Sequence, residues 1–244
     1  MSKQTDLINI PDAITVDGSN VGIGTSSVTQ KLDIEASTVN TGILLHNTNT
    51  TSGASVPIFL ASESGGSTTN VSIDNTGSGN LSFRTGATTK NSYGTERMKI
   101  DATGRVTKPS QPAFFAYHNA GDVNYVPGDT IAYPNTQFNQ GNCYNTSNST
   151  FTAPIAGRYL FSANANGNYS SSYTGIPRAF WKINGSNVGN SVHLRGPDSH
   201  DQGLEQRSQT VVFNLSQGDT VKIVVGVNVW DAFGANSFTG YLLG

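Results

Sequence analysis

The strongest constraint on the fold is the alternation of side chains in the run Gly157–Ala163, GRYLFSA. Side chains point to opposite faces along a β-strand, so Tyr159, Phe161 and Ala163 share one face and the intervening residues share the other. Pro154 cannot donate to a β-ladder and therefore marks an edge or a corner before the run. The pattern predicts a strand at the centre of a sheet.

Similar strand patterns recur along the chain, whereas no apolar i, i+3, i+4, i+7 pattern persists long enough for a secure helix. The best helical candidate is 27–36. Asn184-Gly185 predicts a tight hairpin within 181–188, and Asp17-Gly18 predicts another within 15–25. Further strands, separated by Asn, Thr, Ser and Gly, are expected at 42–47, 57–61, 71–74, 81–84, 113–117, 210–215 and 221–230. The predicted fold class is all-β.

The composition is that of a turn-rich protein with a polar but nearly neutral surface. Charged residues make up 12% of the 244 residues, half the usual ~25%, and the net charge is −2. Disorder would require high net charge and few aromatic residues, but the chain has 9 Tyr and 11 Phe. Nucleic acid and anionic lipid require clustered Lys and Arg, so neither is an expected partner. The longest apolar run, Val221–Trp230, is too short for membrane insertion.

A spaced set of aromatic, Asn and Gly residues surrounds the first run. Its members are Tyr133, Asn139, Tyr144, Phe151, Gly157, Tyr159 and Phe161. The set resembles the signature of the globular head of complement 1q and its tumour-necrosis-factor-like relatives, with Tyr133 where the family has Phe and Ala163 where it has Phe or Tyr. The resemblance extends over Pro112–Gly244 and includes 215–221 and 237–243. It implies an antiparallel jelly-roll β-sandwich head (complement 1q/TNF-like) that forms a homotrimer.

The run Val221–Trp230 is apolar on both of its faces. Alternate residues from Val221 to Val229 form one continuous apolar face, and Val224 and Trp230 add apolar area to the other. A strand of this kind predicts a second burial surface, which a threefold interface would provide.

Two strings in the N-terminal half, VGIGTSSVTQKLDI at 21–34 and ERMKIDATGRV at 96–106, resemble segments of tail-fibre and other fibrous virion proteins of bacteriophages. Similar strings occur in bacterial surface proteins. The resemblance implies a virion protein, assembled in the host cytoplasm and exposed on the particle surface. Paired prolines in Lys108–Pro112 predict a stiff boundary, so we divide the chain into an N-terminal anchor at 1–30, a β-rich stem at 31–108 and a head at 109–244.

The stem has few large apolar residues for its length and many Gly and Ser residues, which lose the most entropy on ordering. Burial between identical chains would supply what one chain lacks, which favours a homotrimer. Leu7, Ile8 and Ile10 form an apolar patch too short to fold alone, so we expect it to anchor the chain to another virion structural protein. A frayed end is the alternative. No signal-peptide pattern is visible there.

The sequence contains few patterns that are typical of catalysis or metal binding. His193, Asp198, His200 and Asp201 gather in one loop, but their spacing is not distinctive and a solvated loop is the favoured interpretation. Calcium occurs in some relatives of the head, and its ligands do not map onto this chain residue by residue. No enzyme activity, cofactor or metal is therefore expected. Cys143, the single cysteine, is expected to be a small apolar filler instead of a reactive thiol.

Arg195, His200 and Trp230 are the candidate receptor contacts, because amphipathic and aromatic side chains among Gly and Asn neighbours suit sugar rings. A host cell-surface glycan is the expected ligand and a host protein is the alternative. Burial inside a trimer is the competing interpretation for each of the three.

Together these observations predict a structural virion protein of a bacteriophage, a trimeric fibre whose jelly-roll head attaches to the host surface. The first alternative is a capsid-attached head fibre or a cement (decoration) protein. The second is a bacterial surface adhesin or coat protein, against which the missing secretion signal counts. A glycan depolymerase would need paired carboxylates in a groove, whereas the acidic residues here are sparse and mostly lie beside turn glycines.

Overall fold

The computed structural model describes residues 14–17, 20–23, 32–34, 55–64, 67–76, 79–89, 92–119, 121, 123–167, 178–189, 193–195, 205–227, 230–232 and 236–244. Within these ranges the chain forms twenty-one strands and no helix, which confirms the all-β prediction. None of the described residues belongs to a helix that is long and apolar enough to cross a membrane. The chain divides into two compact units, Met1–Val56 and Pro57–Gly244.

The strands are numbered in chain order. They are β1 Ile14–Asp17, β2 Asn20–Ile23, β3 Leu32–Ile34, β4 Ser55–Ser64, β5 Ser67–Thr76, β6 Asn80–Ala87, β7 Thr95–Ile100, β8 Val106–Thr107, β9 Ala113–His118, β10 Val123–Tyr125, β11 Asn135–Gln140, β12 Tyr144–Asn145, β13 Thr150–Thr152, β14 Gly157–Gly167, β15 Arg178–Ile183, β16 Ser186–Asn187, β17 His193–Arg195, β18 Glu205–Leu215, β19 Thr220–Val227, β20 Trp230–Ala232 and β21 Asn236–Leu242.

In the first unit, β1, β2 and β3 form a three-stranded sheet. The predicted hairpin is present, because β1 pairs with β2 in an antiparallel register from Ile14 opposite Ile23 to Asp17 opposite Asn20. The helical candidate 27–36 is wrong at Leu32–Ile34, which is a strand parallel to β2. A nonlocal backbone partner decides the conformation of these three residues, and local periodicity does not report such a partner.

The stem contains an antiparallel sheet in the order β4-β5-β6-β7-β8, which we call the stem sheet. The predicted strands at 57–61, 71–74 and 81–84 lie within β4, β5 and β6. The strand predicted at 42–47 lies outside the described residues. The Asp101 carboxylate shapes the turn from β7 to β8, since it accepts hydrogen bonds from the backbone N–H groups of Thr103 and Arg105 at 2.9 and 3.0 Å.

Two antiparallel sheets form the jelly-roll sandwich of the head. One has the order β11-β9-β21-β14-β18, and the other has the order β12-β13-β19-β15-β16 with β17 paired to β15. Strand β14 lies between β18 and β21, and β9 lies between β11 and β21, so both are central as predicted. The Asn184-Gly185 turn closes β15 onto β16, with Ile183 opposite Ser186.

An aromatic core fills the space between the two sheets. The Phe161 ring lies 5.0 Å from Phe151, 6.2 Å from Trp181 and 6.0 Å from Phe238, measured between ring centroids. Every aromatic residue of the spaced set is buried, including Tyr133 and the other members at 144, 151, 159 and 161. The spacing noted in the sequence therefore belongs to the core of the sandwich, because Tyr133 and the rings of β12, β13 and β14 lie in one cluster.

The second face of β19 is covered within the chain. Val224 is only 4% exposed, and Thr130 forms an isolated β-bridge to it. The Phe180 ring lies directly against Gly226 on the same face. The threefold interface that the sequence predicted for this face is therefore not needed to bury Val224. The other sheet of the head carries the exposed apolar side chains Phe138, Val212 and Tyr241.

Candidate functional site

A cavity of about 260 Å³ opens at the lateral edge of the sandwich, where β17 of one sheet approaches β18 of the other. We call it the arginine cavity. The residues that line it are His193, Leu194, Arg195, Arg207, Ser208 and Gln209. Gln209 also joins the two sheets, because its Oε1 accepts a hydrogen bond of 2.7 Å from the Trp181 indole N–H. This bond fixes the inner end of the cavity against the core.

Alternation along β17 sets which side chains line the cavity. Leu194 is buried in the core, whereas Arg195 is exposed and His193 is half-buried. The pairing of β17 with β15 places Arg195 opposite Arg178. Like charges directly opposite each other on paired strands are unfavourable, and Arg207 brings a third guanidinium to the same edge. This edge therefore holds three guanidinium groups in a chain with only 14 Lys and Arg residues.

Two polar atoms at this edge are buried without a hydrogen-bond partner in the described part of the chain. They are His193 Nδ1 and Arg178 Nε. Buried polar groups are normally paired with protein, water or ligand atoms. Of these two residues, His193 lines the cavity and Arg178 does not. Guanidinium groups donate several N–H bonds in a fixed plane and suit carboxylate or hydroxyl oxygens, so the cavity has the chemistry to bind an acidic or hydroxyl-rich ligand.

The structure brings one of the three predicted receptor contacts to this cavity. Arg195 lines it, whereas His200 lies outside the described residues. Trp230 lies in β20, where its backbone pairs with Tyr125, but its side chain is not among those described. Sequence reasoning missed Arg178 and Arg207, because each is brought to Arg195 by strand pairing or sandwich closure. The predicted anchor residues Leu7, Ile8 and Ile10 also lie outside the described residues.

The four residues considered for a metal site remain largely outside the structure. His193 is described, but Asp198, His200 and Asp201 are not. In the ranges that are described, no group of three or more His, Cys, Asp or Glu side chains is arranged to hold a metal ion.

Cys143 is buried in the aromatic core cluster, as the sequence predicted. Its thiol lies 3.5 Å from the backbone oxygen of Gln140 and 3.8 Å from Asn139 Oδ1. Burial raises the pKa of the Cys143 thiol from 9.0 to about 11. The thiol is therefore protonated at neutral pH and is a poor nucleophile there.

The outward side of the five-stranded sheet is a second candidate surface, which we call the head face. One cross-strand row runs from Tyr241 through Leu160 to Val212, and Tyr241 and Val212 are 42% and 53% exposed. A second row begins with Phe138 opposite Phe115. Large apolar side chains on a solvent-facing sheet mark a surface for protein association.

Comparisons with known proteins agree with this architecture. A family model described as the C1q domain matches residues 113–243. Among solved structures, the globular domain of zebrafish complement 1qA is similar at 17% identity and a TM-score of 0.44, covering 55% of this chain and 98% of that chain.

Two further solved structures are similar over the same share of the chain. The Eiger TNF structure from S. frugiperda has 9% identity and a TM-score of 0.46, covering 55% of this chain and 94% of that chain. Murine APRIL has 10% identity and a TM-score of 0.41, covering 55% and 99%. No curated protein sequence matches the chain.

Proposed function

Because the chain belongs to the C1q domain family through residues 113–243, we propose that it is a non-enzymatic, homotrimeric fibre of a bacteriophage virion whose head binds the host surface. Domains of this family often act as trimeric binding modules. The head face carries the trimer proposal, because Tyr241 and Val212 leave large apolar area in water on a sheet whose other side is the core. Copies of the chain that pack against this face would bury that area.

The phage setting rests on the two fibre-like strings. The second of them, ERMKIDATGRV, contains all of β7 except Thr95, together with the turn held by Asp101 and the first residue of β8. Arg105 Nε donates to Asp101 Oδ2 at 2.6 Å, so the Asp and the Arg of the string act together. The string is therefore a compact structural unit with its own internal hydrogen bonds, which supports its use as a recurring element of fibrous stems.

The arginine cavity is the proposed receptor site. The cavity is smaller than the ~300–1,000 Å³ pockets that hold drug-sized molecules. Its volume suits a single sugar ring with its substituents. Arg195 at its rim can donate paired N–H bonds to a sugar carboxylate or to adjacent hydroxyl groups. We therefore expect a host-surface glycan, and an acidic one in particular, to bind there.

Two measurements test the assembly and its placement. Light scattering of the purified chain should give the mass of three chains; a folded species with the mass of one chain contradicts the trimer.

Antibody against the chain, viewed on intact phage particles by electron microscopy, should label the tail. Label on the capsid would favour the head-fibre or cement alternative, and label only on bacterial cells would favour a surface adhesin.

A glycan-binding screen tests the receptor site. Arg195→Ala should weaken binding about tenfold or more, because a charge-assisted hydrogen bond contributes roughly 1.5–3 kcal/mol. Lys182→Ala is the matched control, since Lys182 lies on the outward side of the neighbouring strand β15 but does not line the cavity. Equal glycan binding by wild type and Arg195→Ala would remove the cavity from the proposal while leaving the trimer untouched.

A further inference from the structure

The stem sheet buries several polar side chains and leaves several apolar side chains exposed to water. Asp74 is 1% exposed, and Ser72 and Ser82 are also buried. Val106, by contrast, is 54% exposed, and Leu81 is exposed as well. A sheet with one wet face normally shows the opposite arrangement, with apolar residues inside and polar residues outside. The reversal is too regular to be a scatter of single exposed residues, because it follows the strand alternation.

The register joins six apolar residues, two exposed and four half-buried, into one surface across β5, β6, β7 and β8. One row consists of Ile73 opposite Phe83 and Phe83 opposite Met98. The adjacent row consists of Leu81 opposite Ile100 and Ile100 opposite Val106. These six residues share one face of the sheet, which we call the stem face. Contiguous apolar surface of this kind on a soluble protein is an interaction site.

Most of the charges of these strands lie on the opposite side. Arg84 Nε lies 3.0 Å from Asp74 Oδ1, and Arg84 Nη2 lies 3.4 Å from Glu96 Oε2. Lys99 Nζ lies 4.0 Å from Glu96 Oε1 on that side as well. Arg97 lies on the side of the stem face instead, because its Nε donates to Thr85 Oγ1 at 2.9 Å and Thr85 shares the side of Phe83 on β6. The six residues of the stem face carry no charge themselves, so identical stem faces can pack against one another through them.

The connector between the stem sheet and the head is held by hydrogen bonds at several points. Arg97 Nη1 donates to Ser110 Oγ at 3.1 Å, and Gln140 Nε2 donates to the Lys108 carbonyl at 3.2 Å. Gln111 Nε2 donates to the Leu242 carbonyl at 2.6 Å. Strand β8, which ends the stem sheet, thus leads through a fixed segment into β9, which carries Phe115 of the head face. Copies that associate through their head faces would bring their stem faces close to one another, because each stem sheet is attached to its head by this connector. The local concentration of stem faces would then be high.

From these observations we propose that the stem face is a second interface between copies of this chain, in which each stem face packs against the stem faces of its neighbours in the fibre. The inference rests on the homotrimer of the proposed function and adds a contact that the head does not supply. The partner is a second copy of this chain, because every copy carries the same six apolar residues and the connector aligns these surfaces without any further component.

Hydrogen exchange of the intact chain tests this interface. Leu81→Glu should leave the mass at three chains, held by the heads, but should speed exchange of the backbone amides in 80–107 about tenfold or more, because burial of one such side chain is worth roughly 1.5–3 kcal/mol. Val106→Thr is a milder variant that keeps shape and strand propensity, and it should act in the same direction. On a solvated face both changes would be neutral or stabilising. Val126→Glu, at an exposed head position, is the matched control and should leave exchange in 80–107 unchanged.

Each remaining outcome has a distinct meaning. If wild type has the mass of one chain, the homotrimer proposal is contradicted. A mass of three chains with unaltered stem exchange in both Leu81→Glu and Val106→Thr leaves the homotrimer standing and overturns the stem interface. Stem protection that persists in chains dissociated by dilution also overturns it, since the cover would then come from the same chain.

Discussion

Gly240 shows how tightly the core limits a single residue. It lies on the inner side of β21, and a Cβ placed on it would approach Phe161 Cδ1 to 2.5 Å and Phe114 Cε1 to 2.7 Å. Both rings are fully buried and packed by other rings, so neither can move without disturbing the aromatic core. Gly240→Ala should therefore lower the free energy of unfolding by about 1–3 kcal/mol.

Denaturant unfolding followed by tryptophan fluorescence measures this effect. The matched control is Gly121→Ala, because a Cβ at Gly121 meets nothing within 4 Å. Its unfolding midpoint should match that of wild type. An unchanged midpoint in Gly240→Ala would mean that the two rings shift freely and that the core is looser than its geometry indicates.

Cys143 predicts a dependence of stability on alkaline pH. The folded chain raises the pKa of its thiol from 9.0 to about 11, so the native state favours the protonated form. The resulting stability is fully present below pH 9 and is lost as pH rises from about 9 to 11, because only the unfolded chain ionises readily in that range. Burial raises the pKa values of Tyr133 and Tyr144 as well, which adds to the fall in stability at high pH.

Denaturant midpoints measured between pH 8 and pH 11 check this prediction. The denaturant midpoint of Cys143→Ala should fall less steeply with pH than that of wild type, because one of the groups with a raised pKa is gone. Parallel curves for the two proteins would show that the thiol ionises as easily in the folded chain as in the unfolded one.

At the scale of elements, the hairpin tip between β15 and β16 is fastened to the turn before β19. Asn184 and Gly185 have φ values of 51° and 80°, which suit a mirror-type turn. Asn184 Nδ2 donates to Asp219 Oδ1 at 2.7 Å, and Asn184 Oδ1 accepts from the Thr220 N–H at 2.9 Å. The hydrogen bond from Asn184 also lowers the pKa of Asp219, so this carboxylate stays ionised at neutral pH.

Asn184→Ala should cost about 1–3 kcal/mol in unfolding free energy, since it removes the side-chain hydrogen bonds of Asn184 and forces alanine into a left-handed conformation. Asn187→Ala is the matched control on the exposed strand β16 and should leave the unfolding midpoint within ~0.5 kcal/mol of wild type. Equal midpoints for the two variants would show that the Asp219 and Thr220 contacts contribute nothing to stability.

The sequence predicts those elements whose conformation is determined by residues close together in the chain. The alternation in β14, the aromatic spacing of the core and the Asn184-Gly185 hairpin are confirmed, because each depends on strand periodicity or turn chemistry within a short run. Strand β3 was assigned to the wrong class, because its conformation depends on parallel pairing with β2.

The candidate site was predictable only in part for the same reason. Arg195 stands out in the sequence, but Arg207 reaches the cavity only when the edges of two sheets meet. The stem sheet shows another limit on prediction from the sequence. Its alternation of apolar and polar residues is visible in the sequence, but local pattern does not say that the side with Asp74 is the buried one.

For the whole molecule, association and folding should be linked. The head face and the stem face both leave apolar area in water in the single chain, and packing between copies would remove it. If three chains fold and associate together, the melting temperature must rise with protein concentration, because dilution favours separated and unfolded chains. A chain that folds alone has a melting temperature that does not depend on concentration.

Differential scanning calorimetry over a hundredfold range of protein concentration measures this dependence. Val212→Glu places a charge in the row of the head face that contains Tyr241, Leu160 and Val212, so it should lower the melting temperature most at the lowest concentration. Val126→Glu makes the same chemical change at an exposed position outside both faces and should follow the wild-type curve. If wild type melts at one temperature throughout the range, the single chain is stable by itself and its exposed apolar faces must serve a partner other than a copy of itself.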